Sequence, residues 1–142
     1  MTQSQPGPPT ITLSAGKSPP AALLPRLRTV ADALRQVTAP TGACLLVIPE
    51  PKAKPIIEPL CESRQVFGRR QSYGWAQERG KLSRDHFEIL RPSPGEWSIR
   101  DLGSRNGTTL NDKPIGDAPV PLHDGDLIEA GRIILVVLLP EP

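Results

Sequence analysis

Leu23, Leu27, Val30, Leu34 and Val37 recur at steps of four, three, four and three. That spacing lines one face of an α-helix. Pro25 suits a first helical turn, and Thr38-Ala39-Pro40 with Gly42 supplies a stop. The pattern predicts an amphipathic helix over 25–39. A helix this short is marginal alone in water, so its stripe needs a partner. The simpler partner is its own domain; the other is a second protein or a second copy. Residues 1–24 before it are rich in Pro, Gly, Ser, Thr and Gln. Such a segment buries too little apolar surface to offset its ordering entropy, so a disordered tail is expected.

From Ala43 the period changes. Ala43 to Ile48 is a compact apolar run; Ile56 to Leu60 and Gln65 to Phe67 are short strand candidates. His86 to Leu90 and Trp97 to Arg100 alternate with period two. Leu110, Ile115, Val120 to Leu122 and Leu127-Ile128 are brief apolar runs between Asn, Asp, Gly and Pro, and Ile133 to Leu139 reads as a buried strand. Many closely spaced short strands with no helical period between them predict an all-β sandwich over 43–140.

Proline sharpens the boundary. Of 18 prolines, eleven precede Leu60 and none lies between Leu60 and Arg91. Proline lacks the ladder N–H, so the folded heart is expected to begin near Leu60, with edge or weaker structure before it. Charge divides similarly. Residues 1–42 carry four basic groups against one acidic; residues 43–142 carry 13 against 14. The domain is thus close to neutral, and with 4% aromatic residues it lacks the footprint of a nucleic-acid binder. No apolar run reaches the ~20 residues of a membrane span, and the first residues lack the pattern of a signal peptide. A cytoplasmic protein with no membrane partner is expected. Two cysteines, Cys44 and Cys61, are too few for a disulfide framework and are expected to be free thiols.

Three polar clusters sit at predicted strand ends: Phe67-Gly68-Arg69-Arg70, Ser83-Arg84-Asp85-His86, and Asp101 to Thr108. Together they offer guanidinium forks, a small hydroxyl and an Asn-Gly turn with free amides. Arginine presents paired planar donors to a phosphate, serine adds a short neutral donor, and an asparagine amide can bond a peptide backbone twice.

In order and spacing these clusters resemble the forkhead-associated (FHA) domain family. The family pattern runs Gly-Arg, Ser-x-x-His, Asp-x-x-Ser-x-Asn-Gly-Thr and Leu-x-Asp-Gly-Asp-x-Ile-x-x-Gly. It is matched by Gly68-Arg69, by Ser83 and His86, by Asp101 to Thr108, and by Leu122 to Gly131. The resemblance covers about Ala43 to Leu139. It implies a sandwich of two antiparallel sheets that reads phosphothreonine in an extended peptide, discriminating against phosphoserine through a recess for the threonine methyl. Carried over by motif, Arg69 and Ser83 would bond the phosphate, with Arg84 adding a contact from its backbone or its fork. Asn106 would grip the peptide backbone, and Arg105 would line the pocket or favour an acidic neighbour. Gly68, His86 and Gly107 would support the loops. Between Arg69 and Ser83 this chain departs from the family, carrying Trp75 where an aliphatic is usual.

The function expected is a phosphothreonine-peptide-binding adaptor in Ser/Thr kinase signalling, partnered by phosphothreonine proteins or peptides. The alternative is a phosphorylation-independent assembly scaffold, with oligomerisation through the N-terminal helix. No enzyme is expected, because no nucleophile–base pair or nucleotide loop is evident. No cofactor and no metal are expected either. His86 at a strand start reads as a backbone anchor rather than a base, and Asp124-Gly125-Asp126 as a tight turn rather than a calcium loop.

Overall fold

The computed structural model describes residues 24–37, 42–50, 53–71, 73–77 and 82–140, with side chains in the helix from Arg28 onward. The tail expected over 1–24 lies, apart from Leu24, outside the described residues. Helix α1 spans Leu24–Leu34. It ends short of the expected residue 39, because the chain tightens there: the Gln36 amide bonds the Ala33 carbonyl at 3.0 Å, three residues back rather than four.

Among the described residues ten strands follow: β1 Cys44–Ile48, β2 Ile56–Pro59, β3 Arg64–Phe67, β4 Phe87–Ser93, β5 Glu96–Asp101, β6 Thr108–Leu110, β7 Lys113–Ile115, β8 Val120–Leu122, β9 Leu127–Ala130 and β10 Ile133–Leu138. They form a six-stranded sheet, ordered β2-β1-β10-β9-β6-β7, and a four-stranded sheet, ordered β3-β4-β5-β8. Every strand pair is antiparallel. The all-β sandwich of two antiparallel sheets is thus the architecture of the domain.

Alternation decides which side chains meet. Leu45 and Val47 of β1 and Ile133, Leu135 and Val137 of β10 point inward, meeting Phe67, Phe87, Ile89, Trp97, Ile99 and Leu122 of the facing sheet. The intervening residues Cys44, Leu46, Ile48, Ile134, Val136 and Leu138 face the other way, onto Val30, Ala33 and Leu34 of α1. A strand buried on both faces carries an unbroken apolar run, as Ile133–Leu138 does. The described part of the helix stripe therefore packs on its own domain. Each fully buried aliphatic contributes roughly 1.5–3 kcal/mol, enough to hold a helix too short to persist alone.

The expectation that weaker or edge structure precedes Leu60 is corrected for β1. It lies between β2 and β10 and is buried along its whole length. The prolines Pro40 and Pro49 flank it and none falls inside, so its ladder amides are intact. Only β2, which contains Pro59, is an edge strand there. Among the described residues no helix is long and apolar enough to cross a membrane.

Candidate functional site

The three polar clusters converge at one end of the four-stranded sheet. Its last rungs are Phe67 opposite Phe87 and Phe87 opposite Asp101. Beyond them run the β3–β4 loop, which carries Arg69 and Ser83, and the β5–β6 loop, which carries Arg105 and Asn106.

The two arms of the β3–β4 loop are fastened backbone to backbone. The Arg69 amide donates to the Ser83 carbonyl at 2.9 Å and the Arg70 amide to the Arg84 carbonyl at 3.0 Å. This places Arg69 beside Ser83 and Arg70 beside Arg84. So close an approach requires glycine at 68, where a Cβ would stand 2.2 Å from the Arg84 carbonyl oxygen and 2.8 Å from that of Ser83. The Arg69 Nε donates to the Leu82 carbonyl at 2.7 Å, which fixes the root of the guanidinium, while the residue itself stays exposed.

His86 ties this loop to the next one. It is fully buried. Its Nδ1 accepts the Ser83 amide at 3.0 Å, and its Nε2 lies 2.8 Å from the Gly107 carbonyl. An amide can only donate and a carbonyl only accept, so the ring is neutral with its proton on Nε2. Burial lowers the His86 pKa; the Gly107 hydrogen bond and the Asp101 charge oppose this without reversing it.

Asp101 shapes the β5–β6 loop. Its carboxylate accepts the Ser104 amide at 2.9 Å, the Ser104 hydroxyl at 2.5 Å and the buried Thr108 hydroxyl at 2.7 Å. Burial alone would raise its pKa, but the Ser104 and Thr108 hydrogen bonds outweigh it and hold it below the ordinary value. Gly107 closes the turn at φ +80, a left-handed conformation that favours glycine. The turn so formed brings the Arg105 amide to the Ser83 Oγ at 2.9 Å. That hydroxyl oxygen accepts from the protein, so its own proton remains to be donated elsewhere. Arg105 and Asn106 are exposed.

Every predicted site residue thus lies in this one loop cluster. Arg69, Ser83, Arg105, Asn106 and Gly107 come together around the His86 bridge. Arg84 contributes its backbone carbonyl to the loop fastening and leaves its side chain exposed.

The motifs did not reveal the Leu82 carbonyl that seats Arg69, since backbone acceptors leave no residue signature. Gln71 was also missed. Its Nε2 donates to Asp85 Oδ1 at 3.1 Å, and Arg70 lies 3.7 Å from the other Asp85 oxygen. Tyr73 and Trp75 stack with Phe67 at centroid distances of 5.0 and 6.1 Å. The Trp75 Nε1 donates to Glu58 at 2.9 Å and Gln65 to the Tyr73 hydroxyl at 3.0 Å. These aromatics anchor the β3–β4 loop to the core.

The remaining candidates resolve as structural. Asp126 accepts the His123 amide at 2.7 Å and the Asn111 side-chain amide at 3.1 Å, and Asp124 accepts the Leu139 amide at 2.8 Å. Those carboxylates order their turn and tie it to the β6–β7 turn and to the chain after β10. Cys44 is buried and free, with burial pushing its thiol up to about 11; Cys61 is exposed and free. A recess of about 360 Å³ opens at the far end of β5, lined by Glu96, Trp97, Pro119, Pro121 and His123 among others. No arginine or lysine lines it, so it lacks the chemistry of the loop cluster.

Comparison with known proteins bears directly on this arrangement. A family model described as the FHA domain matches residues 66–131. A solved FHA domain, studied for phosphothreonine-dependent FHA domain interactions, is 30% identical, with 72% of this chain and 100% of that one aligned at a TM-score of 0.58. The chain belongs to the FHA domain family. An FHA domain-containing protein of Arabidopsis thaliana is 40% identical over 58 residues, which is 40% of this chain and 15% of that protein. An ABC transporter ATP-binding/permease protein of Mycobacterium tuberculosis is 46% identical over 55 residues, which is 39% of this chain and 6% of that protein. The chain therefore spans only a small part of the length of these curated relatives.

Proposed function

We propose that this FHA domain is a phosphothreonine-peptide-binding adaptor module in cytoplasmic Ser/Thr kinase signalling, and not an enzyme. One observation carries the reading. Arg69 and Ser83 are held side by side by the loop fastening, and the Ser83 oxygen already accepts the Arg105 amide at 2.9 Å. A fixed guanidinium and a hydroxyl with a free proton form a preorganised donor pair for a phosphate. In this reading Arg69 and Ser83 bond the phosphate, Arg105 borders it, and Asn106 holds the extended peptide. The solved relative studied for phosphothreonine-dependent interactions supports the ligand class. The scaffold alternative, which rests on the N-terminal helix and the Tyr73–Trp75 loop, is less favoured, because the described apolar face of α1 is buried on its own sheet and Trp75 is buried in the core.

A phosphate carries about −1.5 to −2 charges at pH 7, and hydrogen bonds to charged groups contribute about 1.5–3 kcal/mol each. Less the cost of ordering the peptide, affinities near micromolar, about −8 kcal/mol, are expected. Calorimetric titration with degenerate phosphothreonine, phosphoserine and unphosphorylated peptide pools tests this. Binding to the first pool alone, weakened at least about tenfold in Arg69→Ala, is the predicted result. Binding that ignores either the phosphate or the substitution would overturn the proposal.

A further inference from the structure

The chain contains two asparagines, Asn106 and Asn111, and the fold treats them oppositely. Asn111 is locked. Its Nδ2 donates to Asp126 Oδ1 at 3.1 Å, and its side-chain oxygen accepts the Leu127 amide at 2.9 Å. Asn106 is exposed in the β5–β6 loop. Among the described residues its side chain has no hydrogen-bond partner, although its neighbours Ser104, Arg105 and Thr108 all have one.

The following residues differ as well. Asn111 precedes Asp112, whereas Asn106 precedes Gly107. A Cβ at Gly107 would meet nothing within 4 Å, so the space around this backbone is open. His86 holds Gly107 by its carbonyl. The Gly107 amide has no hydrogen-bond partner among the described residues. The Asn106 side-chain amide and the next backbone nitrogen are thus both unengaged, with no side chain at 107 to keep them apart.

We infer that Asn106 is a site of spontaneous covalent modification, deamidation through a cyclic imide with Gly107, and that this modification switches off the phosphopeptide site. Asparagine is among the thermolabile residues. The Gly107 nitrogen attacks Asn106 Cγ. The new N–C bond forms as the Cγ–Nδ2 bond breaks, and the proton of the Gly107 nitrogen leaves with Nδ2 as ammonia. Water then opens the imide. Attack at Cγ leaves an aspartate, and attack at the backbone carbonyl leaves an isoaspartyl link. Either product exchanges a neutral amide for a carboxylate and loses its N–H donors. That puts a negative charge beside a ligand that itself carries about −1.5 to −2. An isoaspartyl link also lengthens the main chain of the loop that brings the Arg105 amide to the Ser83 Oγ. The effect on binding rests on the proposed function; the chemistry at Asn106 does not.

The test ages the full chain in mildly alkaline buffer and maps its peptides by mass spectrometry. The expected result is the mass gain of an amide becoming an acid, with isoaspartate, at position 106 and not at 111, and a matching release of ammonia. Asn106→Gln, whose amide lies one methylene further out, is expected to release none. Ion exchange then separates the aged chain into modified and unmodified fractions. The modified fraction is expected to bind the phosphothreonine peptide pool at least about tenfold more weakly, and the unmodified fraction to bind as the fresh chain does. Modification at 106 no faster than at 111, or a modified fraction that binds as tightly as the unmodified one, overturns the inference while the proposed function stands. If the fresh chain prefers no phosphorylated pool, the proposed function fails, and the switching role of Asn106 fails with it.

Discussion

At Gly68 a single hydrogen in place of a methyl group decides whether the loop can close. A Cβ would sit 2.2 Å from a backbone oxygen, which no side-chain rotation relieves. Gly68→Ala is predicted to destabilise the domain by about 1–3 kcal/mol in chemical denaturation and to abolish phosphopeptide binding. Equal stability and binding would show that the loop does not depend on this approach. His86 makes a second residue-level prediction. Its folded pKa lies below the ordinary value, so the unfolded chain takes up its proton first as pH falls. The stability His86 contributes is complete above an ordinary histidine pKa of about 6.5 and is lost as pH drops below it. Asp101 and Glu88, both held below ordinary carboxylate values, lose theirs only in a lower window, below about pH 4. Melting temperatures measured from pH 8 to 5 are predicted to fall at the acid end in the wild type and to stay flatter in His86→Gln. Parallel profiles would contradict the buried neutral ring.

Among the elements, α1 and the β3–β4 loop show what could be read in advance and what could not. The helix stripe was legible because a 3.6-residue period is written in the side chains, and the apolar run of β10 was legible because both its faces are buried. The centrality of β1 was not, because proline counts register which segments contain a breaker and not which strands lie between two of them. The site motifs fixed Arg69, Ser83, His86 and Asn106 in one cluster, yet the Leu82 carbonyl and the Tyr73–Trp75 anchor arise from tertiary contacts without a local pattern. The helix provides a measurable consequence. Leu34 is 6% exposed and Val30 fully buried against the outer face of the six-stranded sheet. Leu34→Ala is predicted to cost about 2–5 kcal/mol in urea unfolding while leaving phosphopeptide affinity unchanged, since α1 packs on the sheet that does not carry the β3–β4 and β4–β5 rungs. A negligible cost would mean that the helix is only loosely seated.

For the whole molecule, the two sheets divide the labour. The six-stranded sheet is apolar on both faces at its central strands β1 and β10 and takes α1 as its cover there. The four-stranded sheet keeps a polar outer face, where Glu88 is buried beneath Arg64 and Arg100, and positions the arginine-rich loops at its end. In the proposed reading, binding takes place at this edge of the sandwich, an open surface that suits an extended peptide better than a small molecule. The most direct test of that claim is a two-dimensional amide NMR titration of the labelled chain with a phosphothreonine peptide and with its unphosphorylated twin. The predicted result is a set of shifts confined to the loop amides around Arg69, Ser83, Arg105, Asn106 and Gly107, seen only with the phosphorylated peptide. Shifts centred on α1 or on the recess near Trp97, or equal shifts with both peptides, would contradict it.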